Sequence, residues 1–567
     1  MTEVPASFLS LNRESFSSLE PAFKAILARP VSSPSELERL ILDWSELEAY
    51  VDDVATEIGI AASLNSDDHA AQERKRRFLQ DVQPKLEEMN NQFCVTVLGH
   101  AEKIELPAHY DLFLKILRSD RDIFHPDNPG LSARAAQLAQ EYDVCMAGLT
   151  VSVRGKTYTP PQVNGPINTA DRELRRELWS GVWGARRDVS EKVDTIFEQQ
   201  LQLRHQIALN AGFANYRDYS FLSMRRFYYS PLDAKRLHDT IAEHIVPVAR
   251  ARYEAHRRRL GVEKLMPWDI GSGRFHEVFV KPYASELGGF GSAQEVEVKA
   301  GEVLASLNAE MAREYDAMRT AGEADLVARP GKSPGAYQAQ YSFKRRPFIF
   351  ANNTGVIDDL YTTLHEFGHA YHYLQFRDEP VMTYRQIPME IAELGSMACE
   401  LLGHNRFELF LSPEEARVVR ADKYESIAFF LAYMAQVDAF QQWIYEHPDH
   451  SRQERRRKWE ELTDRFGPPV SWEGIEEFKG MYWHQQLHVF RYPFYYIEYG
   501  IAQLGALQVE LNFHRDGDQA IEKWRSALAL GASRPLPELY QQAGIPFDFS
   551  PAAIKPVGEM LARLAAA

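Results

Sequence analysis

The sequence predicts a mainly α-helical protein with a small β-sheet, and three observations support that class. Cap residues followed by apolar stripes at helical spacing recur along most of the chain. Segments with strand character are few and short, and the strongest run, from Gly331 to Ala351, precedes a helical stretch. That stretch, Leu360 to Leu374, carries His365-Glu366-Phe367-Gly368-His369, with Leu360, Leu364, Phe367 and Tyr371 giving an apolar face.

The first long helix starts at Ser33-Pro34-Ser35-Glu36, which combines an N-cap, a first-turn proline and a capping box. Leu37, Leu40, Ile41, Trp44, Leu47 and Val51 form its stripe. The charged run Arg74 to Arg77 fits a solvated helix face. Phe124 to Gly130 is a turn-rich connector. Thr150 to Tyr158 alternates around Gly155 as a hairpin does, and Thr169 caps a helix bearing Leu174, Leu178 and Trp179. Ser230, Ser292 and Ser412 open further helices. Arg452 to Lys458 is basic, yet Ser451 and Glu454 make it a capped, solvated helix. No internal repeat or low-complexity linker marks a domain boundary.

At 567 residues, 45% hydrophobic and 25% charged, the chain has a soluble globular composition with ample core. A net charge of -16 argues against a nucleic-acid partner. Cys94, Cys145 and Cys399 are too few for a disulfide framework and fit a reducing compartment. Met1-Thr2-Glu3-Val4-Pro5-Ala6 lacks the order of a secretory signal, and no apolar run approaches the roughly 18 residues of a membrane span. A cytoplasmic protein with no membrane partner is expected.

The chemistry is concentrated around His365. Residues four apart on a helix lie about 6 Å apart along its axis, so His365 and His369 can converge on one tetrahedral zinc ion. Glu366 stands beside that seam as a candidate general base. Gly368 is a poor helix former whose use is to let another backbone pass close by. Zinc needs a third protein ligand and an open position. His372, seven residues after His365, lies about 10 Å along the axis and belongs to the supporting layer or the core. Among the apolar residues from Met389 to Glu400, a buried carboxylate needs a partner or a metal. Glu393 and Glu400 share one helical face, and Glu390, one turn before Glu393, is the rival ligand.

Two further segments complete the set. Gly331 to Phe343 is turn-rich and then strand-compatible; Pro347 to Ala351 is a short apolar strand, followed by a turn over Asn352 to Gly355. A hairpin beside a metal helix offers an edge on which an extended peptide can pair through its backbone. From Trp483 to Gly500 the chain places His484 and His488 four apart among clustered tyrosines. Gln485 stands where a base would be needed, so this pair is a poor candidate for a hydrolytic metal.

His365-Glu366-Phe367-Gly368-His369 followed by Glu393-x-x-Ser396-x-x-x-Glu400 resembles the zinc site of the thimet-oligopeptidase and oligoendopeptidase F family. The chain is most similar to its oligoendopeptidase F and Pz-peptidase branch. The resemblance implies one Zn2+ held by His365, His369 and Glu393, with Glu400 in support and Glu366 as general base. It implies that His488, with His484 as the rival, and Tyr492 and Tyr499 at the family's seven-residue spacing act on the transition state, and that the segment at Gly335, Ala336 and Tyr337 meets the substrate. The implied fold is a mainly α, two-lobed, zincin-like metallopeptidase with a small sheet beside the site and a deep channel between lobes. An N-terminal helical region over 1–185 and a catalytic region over 186–567 are expected. The implied activity is internal cleavage of short oligopeptides. The alternatives are a zinc exopeptidase on the same scaffold and a catalytically inert peptide-binding protein.

Overall fold

Ser33 caps the helix Pro34–Leu64 by accepting the Glu36 N–H, as the spacing predicts. The Glu36 carboxylate reaches one residue further back than the expected box, to the N–H and hydroxyl of Ser32. The computed structural model describes residues 8–270 and 289–566, and helices dominate them. Among the described residues five short strands form two sheets. β1 (Val151–Val153) pairs antiparallel with β2 (Lys156–Tyr158). β3 (Ala324–Val327) runs parallel, and β4 (Tyr337–Tyr341) antiparallel, to a central β5 (Arg346–Asn353).

The chain forms two compact units, each assembled from separated stretches. Met1–Phe124, Gly288–Ser412 and Gly505–Phe547 make the first; His125–Leu287, Pro413–Leu504 and Asp548–Ala567 make the second.

In the first unit the stripe Leu37, Leu40, Ile41, Trp44, Leu47 and Val51 is buried throughout, and Trp44 stacks on Phe93 with ring centres 4.5 Å apart. Each such large side chain contributes about 1.5–3 kcal/mol of transfer free energy. The same helix steadies the turn between β4 and β5. Asp53 accepts the N–H groups of Phe343 and Lys344, and Asp52 accepts the Ser342 hydroxyl at 2.6 Å. β5 runs two residues beyond the expected Ala351, because β3 pairs with its end and the Asn353 amide donates to Thr363 Oγ1. The turn therefore shrinks to the residues around Gly355, whose φ of 106° suits glycine. Asp359 Oδ2 gathers the N–H groups of Thr354, Gly355 and Val356, and the helix Ile357–Phe376 begins there.

In the second unit Arg154 and Gly155 both have positive φ, 48° and 78°, the requirement of the type I′ turn that matches strand twist in a two-residue hairpin. The helix Arg172–Asp188 is capped by Asp171, which accepts the Leu174 N–H; Thr169, the expected cap, instead accepts the Asp171 N–H. The helix Asn128–Ala147 starts inside the expected connector, with Pro129 in its first turn. Arg452–Phe466 is capped by the reciprocal Ser451 and Glu454 box, but it is not solvated all round. Arg455 is fully buried, and its guanidinium lies 2.8 Å from the equally buried Asp194. Among the described residues no helix is long and apolar enough to cross a membrane, and the three buried cysteines form no disulfide.

Candidate active site

Two helices of the first unit carry the His–Glu constellation: Ile357–Phe376 and Met389–His404. Their glycines set how closely they approach. A Cβ on Gly368 would lie 2.6 Å from Ser396 Cα, and one on Gly403 would lie 2.8 Å from a Leu364 methyl. Side chains at these positions would force the helices apart, so the expected close passage at Gly368 is present and its partner is the glutamate helix.

That approach brings three ligand atoms together. His365 Nε2 and His369 Nε2 lie 3.4 and 3.6 Å from the same oxygen, Glu393 Oε2. Among the described residues His365, His369 and Glu393 form the group able to hold a metal ion, with ligand atoms all within 4.8 Å of one another. Tetrahedral zinc, with bonds of about 2.0–2.2 Å, needs ligand atoms about 3.4 Å apart. Two imidazoles and one carboxylate are also the donor set of catalytic zinc. The residues fit the ion.

Supporting contacts orient the donors. The other ring nitrogen of His365, Nδ1, donates to Glu400 Oε1 at 2.7 Å, which turns Nε2 towards Glu393. Ser396 Oγ donates to Glu393 O at 3.0 Å and to Glu393 Oε2 at 3.3 Å. Burial disfavours charge on His365, but Glu400 overrides it and, with Glu393 and Glu366, pushes the imidazolium pKa up to about 9. Burial also works against the Glu393 carboxylate, which His369, His365 and Ser396 nevertheless hold below the usual range. Glu366 differs. Only 6% exposed, its carboxyl is pushed above the ordinary range by burial, which His365 and His369 oppose incompletely. The two buried carboxylates, Glu366 and Glu393, thus have opposite shifts, and strongly perturbed buried acids cluster at functional sites.

Glu390 is buried outside the ligand group, and its backbone carbonyl accepts the Tyr540 hydroxyl. His372 is fully buried beside Phe376 and against Gly395; neither ring nitrogen has a hydrogen-bond partner, and burial drives its pKa down to about 3. It belongs to the packing of the two helices rather than to the ligand set. Gly335 has a φ of 96° and its carbonyl accepts the Asn352 amide; Ala336 follows, and the Tyr337 ring stacks on Phe350 at 4.8 Å.

β4 is an edge strand, and its register decides which groups face outwards. Gln340 opposes Pro347, which has no N–H, so that pair is non-hydrogen-bonded. The ladder runs through Tyr337, Ala339 and Tyr341, while Gln338 and Gln340 direct their backbone groups to the outer edge. Thr56 Oγ1 donates to Gln340 O at 2.9 Å, which leaves the edge position of interest at Gln338. No sequence signal singles out Gln338, since strand parity is fixed only by pairing.

In the second unit, His484 and His488 do not share a helical face. A 3-10 turn, Tyr482–Gln485, and the helix Leu487–Arg491 are separated at Gln486, whose ψ of 93° breaks the helix. His484 turns inward to Asp194 at 3.3 Å, whereas the His488 ring sits 4.7–6.4 Å from the rings of Tyr492, Tyr495, Tyr496 and Tyr499. Tyr499 lies in the first turn of the helix Tyr496–Asp516 and Tyr492, 51% exposed, lies before it. Between them Phe494 adopts a φ of 66°, unusual for an aromatic residue. The Gln441 side chain accepts its N–H, and Arg226 donates to its carbonyl.

Comparison with known proteins extends these observations. The model of peptidase family M3 matches residues 167–558, and that of the peptidase M3 N-terminal domain matches residues 7–120. The chromosomal oligoendopeptidase F of Lactococcus lactis subsp. cremoris is 33% identical over 102 residues, 18% of this chain and 17% of that protein. Oligopeptidase PepF of Bacillus subtilis (strain 168) is 22% identical over 234 residues, 39% of this chain and 33% of the relative. The chain therefore aligns with a third or less of the length of these curated relatives. The solved structure of Pz peptidase A with inhibitor 2 matches the fold with a TM-score of 0.85 at 23% identity, covering 99% of each chain. With a family model spanning residues 167–558 and the His–His–Glu group inside that span, the chain belongs to peptidase family M3.

Proposed function

We propose that the protein is a zinc-dependent endopeptidase that hydrolyses internal bonds of short oligopeptides. The observation that carries this reading is the convergence of His365 and His369 on one oxygen of Glu393, with the buried Glu366 beside them. These three side chains would hold the ion. When bound, zinc supplies a Lewis acid that lowers the pKa of water towards about 7 and polarises the scissile carbonyl.

The rest of the work falls to the chain. Glu366 takes the proton of the attacking water and returns it to the leaving amine. Its burial suits both steps, because a carboxylate of raised pKa is a better base and its conjugate acid still donates. Glu400 keeps the His365 ring in place. The edge of β4 at Gln338, following Gly335, Ala336 and Tyr337, pairs with the substrate backbone, a mode indifferent to side-chain identity. His488, Tyr492 and Tyr499 donate hydrogen bonds to the oxygen that gains charge. Losing one such donor typically costs 10²–10³-fold in turnover. Tyr499→Phe is therefore expected to lower kcat by about 10²-fold with little change in KM. Steady-state kinetics on a quenched fluorescent peptide check this, and an unchanged kcat would remove Tyr499 from the machinery.

The endopeptidase assignment is tested with a peptide blocked at both ends. Internal cleavage, mapped by mass spectrometry, is expected with the zinc-loaded protein. Cleavage confined to peptides with a free terminus would make it an exopeptidase, and no cleavage of either would leave only peptide binding.

A further inference from the structure

We propose that Gln486 is a positioning residue that decides which ring nitrogen of His488 carries the proton, a role that rests on His488 being the donor proposed above. Gln486 precedes the helix Leu487–Arg491 in extended backbone and is 8% exposed. Its Oε1 accepts the hydroxyl of Tyr433 at 3.0 Å, and its Nε2 lies 2.7 Å from His488 Nδ1. An amide NH2 has protons to give and no lone pair to receive one. His488 Nδ1 must therefore accept, and the neutral ring keeps its single proton on Nε2. Tyr433, from the helix Pro413–Glu446, holds the oxygen end of the same amide by donating its hydroxyl.

The backbone of this segment is held by separate contacts. Arg204 donates to the carbonyls of Val489 and Phe490, and Gln200 donates to Phe490 O at 2.9 Å. Backbone placement and proton placement thus have different owners, and a change at residue 486 can alter the second while leaving the first. The phenols of Tyr492, Tyr495, Tyr496 and Tyr499 stand around the ring, and the Tyr433 hydroxyl is reached through Gln486. Arg491, on the same short helix, is 3.5 Å from the Asp143 carboxylate.

A carboxylate at position 486 reverses the logic. It accepts from Nδ1–H, so the neutral ring presents a lone pair at Nε2; only the imidazolium, protonated at both nitrogens, still donates there. Gln486→Glu is expected to lower kcat about 10²-fold at alkaline pH, the cost of one missing donor. The ratio of its kcat to wild type should rise again as pH falls and His488 takes up its second proton. Metal content is measured at each pH. In ¹⁵N-histidine-labelled protein the His488 signals, assigned by their loss in His488→Ala, are expected to show Nε2–H in wild type and Nδ1–H in neutral Gln486→Glu.

Wild-type Nδ1–H, or an equal loss of kcat at every pH in a folded Gln486→Glu, would overturn the positioning role. So would a wild-type profile for Gln486→Glu beside an impaired His488→Ala, with the donor reading intact. A His488→Ala protein that turns over like wild type would instead overturn the donor reading, and this role with it.

Discussion

Glu366→Gln is expected to retain its metal and lose about 10²–10⁴-fold in kcat, the usual contribution of a positioned acid–base group. The substitution is isosteric, keeps the helix Ile357–Phe376, and leaves His365, His369 and Glu393 untouched. What disappears is the capacity to take a proton, since an amide has no basic site in this range. Burial raises the effect. Only 6% exposed, the Glu366 carboxyl sits above its ordinary pKa, so it is a stronger base than an exposed carboxylate. Metal analysis and peptide turnover on the same preparation separate the two halves of the expectation. Full turnover would refute the base assignment; metal loss would mean that the charge of Glu366 holds the ion.

Glu393→Ala is expected to remove the metal, and Glu390→Ala to leave it in place. Both carboxylates are buried on one helix, three residues apart, but only Glu393 places an oxygen within 3.4 and 3.6 Å of the two imidazoles. Loss of an outer partner such as Glu400 typically weakens metal affinity 10–100-fold, and loss of a direct donor should exceed that. Thermal stability gives an independent readout. A ligand bound only by the native state raises stability by RT ln(1 + [L]/Kd), so a chelator should lower the melting temperature of wild type and of Glu390→Ala. Glu393→Ala should not respond. If Glu390→Ala lost the metal and Glu393→Ala kept it, their roles would be exchanged.

Much of this fold was legible because helix signals are local. Ser33 with Glu36, Ser230 with Asp233 and Ser451 with Glu454 cap helices where their spacing says they should. The hairpin over Thr150 to Tyr158 was legible for the same reason, since its turn needs residues that tolerate positive φ. Errors arose where two local signals competed. Asp171 displaced Thr169 as a cap, and β5 absorbed two residues of an expected turn once β3 paired with its end. Arg455 showed a stronger failure: nothing in a basic, well-capped helix announces that one guanidinium will be buried against Asp194, 261 residues earlier.

The sequence by itself determined the helical class, the two histidines one turn apart, the glutamate between them and the glycine beside them, because each depends on spacing within a single helix. Only the tertiary structure shows that Glu393 rather than Glu390 lies beside the two imidazoles, since that depends on how two helices cross at Gly368. It also decided that His484 and His488 part company, that Gln338 faces the edge of β4, and that Gln486 reaches His488. A donor and its acceptor can be recognised in a chain, but their distance is set by packing, and packing joins residues that the sequence keeps far apart.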